Sequence, residues 1–200
     1  RLIKEIGSQE YKKNGFEGRG RSFLYKNGRL QEILRMDGSL ETAYTYNEYG
    51  EMIGQQDGNG AKLTLAYDHH GRRTHASMAS GAEQEWSYDA WGNIERATDG
   101  NGNLTTFTYD GWGKVTRVDR ADGGIETYGY DAAGNLNETT DGKNGVLRFL
   151  YNNQNRLEER IDQTGQSEYW NYDADGRCCL YRDRNGQETT YTYNMLGSLT

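Results

Sequence analysis

The sequence predicts an all-β protein built of tandem antiparallel hairpins, 21 residues each, in a curled or spiralling sheet. Three observations carry this. Tyr25, Tyr46, Tyr67, Tyr88, Tyr109, Tyr130, Tyr151, Tyr172 and Tyr193 recur every 21 residues without a gap. Two clusters of turn residues punctuate each interval. Between the turns, side chains alternate with the period of a strand. A fixed period of this size marks a repeat architecture.

The first turn follows each repeat tyrosine. From the second unit on, the next residue is Asp or Asn: Asn47, Asp68, Asp89, Asp110, Asp131, Asn152, Asp173 and Asn194. Three positions further stands Gly50, Gly71, Gly92, Gly113, Gly134, Gly176 or Gly197, with Asn155 in the seventh unit. An Asp or Asn side chain bonds the backbone two residues on, and Gly supplies the left-handed position. Asn is the side-chain-bearing residue that best tolerates φ > 0. The pattern predicts a hairpin loop of about four or five residues. Tyr25-Lys26-Asn27-Gly28 is one residue shorter.

The second turn lies mid-unit, at Asp57-Gly58-Asn59-Gly60, Ser80-Gly81, Asp99-Gly100-Asn101-Gly102, Asp122-Gly123-Gly124, Asp141-Gly142, Thr164-Gly165 and Asn185-Gly186. These are turn dipeptides. Strands of about six or seven residues remain between turns, near the usual mode. Two residues before each tyrosine stand Phe23, Tyr44, Leu65, Trp86, Phe107, Tyr128, Phe149, Trp170 and Tyr191. Period two puts these on the face of the tyrosine, as a ladder across the sheet. The residues between are mostly small or polar. No segment carries the apolar stripe of a helix. Residues 25–200 thus form a repeat array of about eight units with a truncated last one. Residues 1–24 fit as a degenerate leading repeat, and both ends look like cuts through a longer array.

Composition excludes several classes. Lys and Arg number 23 against 30 Asp and Glu, a net charge of −7. That sign opposes nucleic acid, which needs a basic face. Leu, Ile, Val and Phe together number only 29, a content that invites disorder. The 16 Tyr, 4 Trp and 4 Phe oppose that reading. The longest apolar run is Cys178-Cys179-Leu180-Tyr181, far short of the roughly 20 residues a membrane helix needs. No signal peptide opens the sequence.

Chemistry-bearing groups are few. His69, His70 and His75 sit in and after one turn, without the converging ligands a metal needs. Asp99-Gly100-Asn101-Gly102-Asn103 begins like a calcium loop. Leu104 then stands where that loop needs Gly, and Asp110 where it needs Glu. The repeat aspartates read as turn caps rather than paired acid–base carboxylates. Cys178 takes an apolar strand position, and Cys179 would face the other side. No nucleophile elbow or phosphate loop is present. The expectation is no enzyme, no cofactor and no metal. Trp86 and Trp170 are candidates for stacking on glycans.

Tyr-Asp-Ala-Trp-Gly-Asn (88–93), Tyr-Asp-Ala-Ala-Gly-Asn (130–135) and Tyr-Asp-Ala-Asp-Gly-Arg (172–177) resemble the YD repeat of the Rhs proteins. Similar repeats occur in wall-associated protein A, the B and C components of insecticidal toxin complexes, and teneurins. The resemblance implies a hollow β-shell, of which this chain is an arc, enclosing a C-terminal toxin segment of a secreted or surface bacterial protein. The implied partners are the rest of the shell and that segment. The family's Asp-Pro-x-Gly cleavage motif has no counterpart, since Pro is absent. A second reading is an adhesin that binds carbohydrate at the cell surface. Open strand edges also predict that the fragment associates with itself.

Overall fold

The computed structural model describes residues 21–200. It contains seventeen antiparallel strands, and no helix occurs among the described residues. The chain divides into two compact units, one ending at Leu104 and one running from Thr105 to Thr200. For residues 1–20, the expected degenerate leading repeat lies outside the described residues.

The first unit holds β1 (Ser22–Lys26), β2 (Arg29–Leu34), β3 (Leu40–Tyr46), β4 (Met52–Asp57), β5 (Lys62–Tyr67), β6 (Arg73–Met78), β7 (Glu83–Tyr88) and β8 (Ile94–Thr98). Each pairs with its successor in a meander. The second unit takes β9 (Leu104–Tyr109) from its second residue. It continues through β10 (Val115–Asp119), β11 (Ile125–Tyr130), β12 (Leu136–Thr140), β13 (Val146–Tyr151), β14 (Leu157–Ile161), β15 (Ser167–Tyr172), β16 (Cys178–Arg182) and β17 (Glu188–Thr190). The same sequential pairing holds there.

Both kinds of turn have one design. In the turn after Tyr67, the Asp68 N–H donates to the Arg72 carbonyl at 2.9 Å and the Gly71 N–H to the Asp68 carbonyl at 3.0 Å. The mid-unit turn repeats this, with Asp57 to Ala61 and Gly60 to Asp57, each 3.0 Å. Gly71 and Gly60 have φ of 78° and 86°. This is a three-residue hairpin loop closed by a left-handed residue. Asn155 holds that position at φ 60°. The shorter first loop has Asn27 and Gly28 both left-handed, at 53° and 78°, as a two-residue primed turn requires.

One feature is invisible in the repeat pattern. All eight hairpins that follow Tyr25 through Tyr172 carry a β-bulge at the same place. Tyr67 pairs with Arg73, but Ala66 pairs with His75, leaving Thr74 over. Tyr172 pairs with Cys178 and Asn171 with Leu180, leaving Cys179 over. Straight period-two alternation, which set Cys179 opposite Cys178, therefore does not carry through this strand. A bulge admits an extra residue without a sequence marker and sharpens the local twist.

The core is one residue thick. Among the described residues only Leu65, Ala76 and Val118 are buried, at 5%, 2% and 5% exposure. Leu65 lies directly across from Ala76, and Phe107 from Val118. The other ladder residues are half-buried, whereas Thr45, Ala66, Thr108 and Leu150 between them are exposed. Stability therefore rests on neighbour-to-neighbour ladders and turns.

Candidate functional site

The repeat tyrosines do more than fill the ladder. The Tyr67 hydroxyl donates to the Met52 carbonyl at 2.9 Å, Tyr88 to Arg73 at 2.7 Å and Tyr130 to Val115 at 2.9 Å. Tyr151 donates to Leu136 at 2.9 Å, Tyr172 to Leu157 at 2.7 Å and Tyr193 to Cys178 at 2.8 Å. Tyr46 does the same to Leu30 at 2.8 Å. In the other six the acceptor opens the strand after the previous tyrosine, and Leu30 is the second residue of β2. β4 and β5 cease to pair beyond Gly54 and Thr64. The hydroxyl thus takes a carbonyl beyond the end of the ladder, where an unpaired acceptor would be costly. Each of these seven tyrosines clips its hairpin to the one before.

A cation often covers the ring. Arg72 lies 4.5 Å over Tyr88, Lys114 4.9 Å over Tyr130, Arg156 5.6 Å over Tyr172 and Arg177 5.0 Å over Tyr193. Two of these guanidiniums are also held at 2.7 Å by their own turn aspartates, Arg72 by Asp68 and Arg177 by Asp173. Such contacts link turn, cation and the next ring.

The turn aspartates cap backbone. Asp89 Oδ1 accepts the Trp91 and Asn93 N–H groups, both at 2.9 Å. Asp68 Oδ1 accepts those of His70 and Arg72 at 2.9 and 3.0 Å. Desolvation pushes the Asp68 carboxyl up, but these donors and the Arg72 side chain outweigh it and hold it at about 2. Asp131 Oδ1 takes the Asn135 N–H at 2.8 Å, and Asp173 Oδ1 the Arg177 N–H at 2.9 Å. The calcium-like run has a similar explanation. Asp99 Oδ1 accepts the Asn101 and Asn103 N–H groups and Oδ2 the Asn103 amide, all at 2.9 Å.

Trp86 and Trp170 are half-buried in the ladder. The Arg73 guanidinium lies 5.8 Å from the Trp86 ring, and Tyr181 packs at 5.5 Å from Trp170. His69 and His70 rings stand 3.8 Å apart in their turn, and His75 is 3.8 Å from Glu85. Burial pushes the Cys178 thiol up, away from the thiolate that reactivity needs. Among the described residues, no three His, Cys, Asp or Glu side chains gather where they could hold a metal ion.

Two features escaped the sequence pattern. Arg160 lies across from Glu168 at 3.1 Å, and Arg184 reaches both Glu168 at 3.4 Å and Asp162 at 3.3 Å. Arg160 pairs with Phe149, so this network shares the ladder face. The other is a set of aromatic turn tips: Tyr49, Trp91 and Trp112 are 79%, 88% and 83% exposed. Each is the third residue after a repeat tyrosine, a position the aromatic ladder does not include.

The RHS repeat family matches residues 88–125. The crystal structure of TcdB2-TccC3-TEV superposes with a TM-score of 0.67 at 16% identity, covering 90% of this chain and 12% of that one. A structure of the Photorhabdus luminescens Tc holotoxin pore with a mutated TccC3 gives a TM-score of 0.50 at 14% identity, covering 96% and 14%. No curated protein sequence matches the chain. At these identities the structural likeness is one of fold, and this chain spans about an eighth of each of those two. The family's match falls on residues 88–125, and the same 21-residue register of tyrosines continues on either side of it.

Proposed function

We propose that the chain is a non-catalytic stretch of wall in the β-shell of a secreted or surface-exposed bacterial toxin. The wall would join the rest of its shell and enclose a toxin segment. The observation that carries this reading is the tyrosine clip. Within the two units, seven hydroxyl-to-carbonyl bonds tie hairpins to their predecessors. Such a surface resists opening between repeats, which is what containment requires and what a flexible linker lacks. The likeness in fold to Tc toxin structures supports the same reading.

The test is limited proteolysis of the full-length polypeptide that carries these repeats, followed by mass spectrometry. A segment protected while the repeats are folded, and digested once they are denatured, is the expected result. A segment digested at once in the native protein would leave nothing enclosed and overturn the reading.

A further inference from the structure

Ring faces in this sheet hold the chain's own cations. Arg73 lies 5.8 Å from the Trp86 ring, Arg72 4.5 Å over Tyr88 and Arg182 5.4 Å over Tyr169. One cluster of rings is bare. A cleft of about 400 Å³ in the second unit is lined by Trp170, Cys178, Tyr181, Tyr191 and Tyr193. Among the described residues, no Lys or Arg covers Trp170, Tyr181 or Tyr191. Arg177 takes Tyr193 at 5.0 Å, but it does not line the cleft.

Two departures from the repeat make this cleft. Sixth after the repeat tyrosine, other repeats carry Met52, Ile94, Val115, Leu136 or Leu157, where this one carries the smaller Cys178. Ninth after it, others carry Gln55, Ala76, Ala97, Val118, Thr139 or Arg160, where this one carries Tyr181. Tyr181 lies directly across from Trp170, with ring centroids 5.5 Å apart. The repeat of Tyr67 shows what the small residue leaves out. There Arg73 stands at the Cys178 position, and its guanidinium reaches Trp86, the counterpart of Tyr191. The repeat of Tyr172 keeps the rings and drops the cation.

We propose that this cleft binds a small quaternary ammonium, such as the trimethylammonium group of choline. A ring face attracts a cation through its quadrupole, Trp most strongly, and several rings together suit a quaternary ammonium. The volume fits so small a ligand. The lining has little to offer a ligand that needs hydrogen bonds. The Tyr193 hydroxyl is spent on the Cys178 carbonyl at 2.8 Å, and the Tyr181 hydroxyl on Glu168 at 3.4 Å. The Cys178 thiol donates to the Leu180 carbonyl at 3.4 Å. A primary ammonium would leave N–H groups unpaired there, at the cost of their desolvation. A quaternary ammonium has none. The charges nearby close on one another: Arg160 and Arg184 pair with Glu168, and Arg184 with Asp162. The proposal does not rest on what the array encloses.

The test is saturation-transfer difference NMR on the intact chain at constant ionic strength. The probe is choline. One control is its uncharged carbon analogue, in which a tert-butyl group replaces trimethylammonium. The other is ethanolamine, a primary ammonium. Transfer to the choline methyl protons is expected, with both controls at least about tenfold weaker. This comparison needs no variant. Trp170→Ala should weaken choline binding at least about tenfold, with the β-sheet circular dichroism spectrum unchanged. Cys178→Leu should abolish it by filling the cleft, and Cys178→Arg by supplying the cation. Each places at 178 a residue type that other repeats carry there, as at Leu157 and Arg73, so the sheet should melt no lower. Trp112→Ala should leave binding intact. No choline transfer, equal binding of either control, or binding that survives Cys178→Leu would each overturn the proposal.

Discussion

The Tyr130 hydroxyl donates a 2.9 Å hydrogen bond to the carbonyl of Val115, fifteen residues back in the preceding repeat. β10 and β11 cease to pair beyond Arg117 and Thr127. The phenol thus continues the bonding where the backbone ladder stops. Tyr130→Phe keeps the ring beneath Lys114 and removes only this bond. The loss should be about 1–2 kcal/mol, the sum of a modest hydrogen bond and a carbonyl left poorly paired. Urea unfolding followed by circular dichroism measures it. An unchanged midpoint would mean water replaces the phenol at no cost.

Gly92 is constrained by backbone more than by space. Gly92 has φ 96°, and an added Cβ would meet only Arg72 at 3.4 Å. Gly92→Ala should therefore cost about 1–2 kcal/mol, mostly from the left-handed conformation. Gly92→Asn should cost less, because Asn155 adopts φ 60° at the same repeat position. Thermal unfolding of the two variants orders them, and Asn no better than Ala would contradict the backbone explanation.

Burial separates ladder positions that look alike in sequence. Leu65 is 5% exposed against Ala76, whereas Phe107 is only half-buried across from Val118. Leu65→Ala should cost about 2–3 kcal/mol, the lower part of the range for a buried aliphatic. Phe107→Ala should cost about 2 kcal/mol, less than a fully buried ring would. Equilibrium denaturation of both variants checks this. A loss above about 4 kcal/mol for Phe107→Ala would mean the ring is covered in solution.

The period, the strand positions and the turn chemistry were legible because each depends on residues a few places apart. Tyr88, Asp89 and Gly92 announce a local event, and the backbone follows. The bulges were not legible, because Thr74 and Cys179 carry no mark of being the extra residue. The tyrosine clip was hidden for another reason. Tyr67 and Met52 are distant in sequence, and the bond takes a backbone carbonyl that any residue could supply. Trp112 escaped notice because the aromatic ladder drew attention to Trp86 and Trp170. Its exposure becomes visible only once the turn geometry is known.

Acid should unfold the protein through its turns. In the folded chain the Asp89 and Asp131 carboxyls lie below their ordinary value, first through the Asn93 and Asn135 amides. Those of Asp110 and Asp173 lie low first through the Lys114 and Arg177 backbone N–H groups. Asp68 stands at about 2. A depressed folded pKa means that the unfolded chain binds more protons as pH falls. The stabilisation is complete above the unfolded value of about 4 and is lost as pH drops through the folded values. The melting temperature should be flat from about pH 7 to 5 and fall between about pH 4 and 2. Scanning calorimetry across that range tests this. A flat profile to pH 2 would show the caps to be energetically idle.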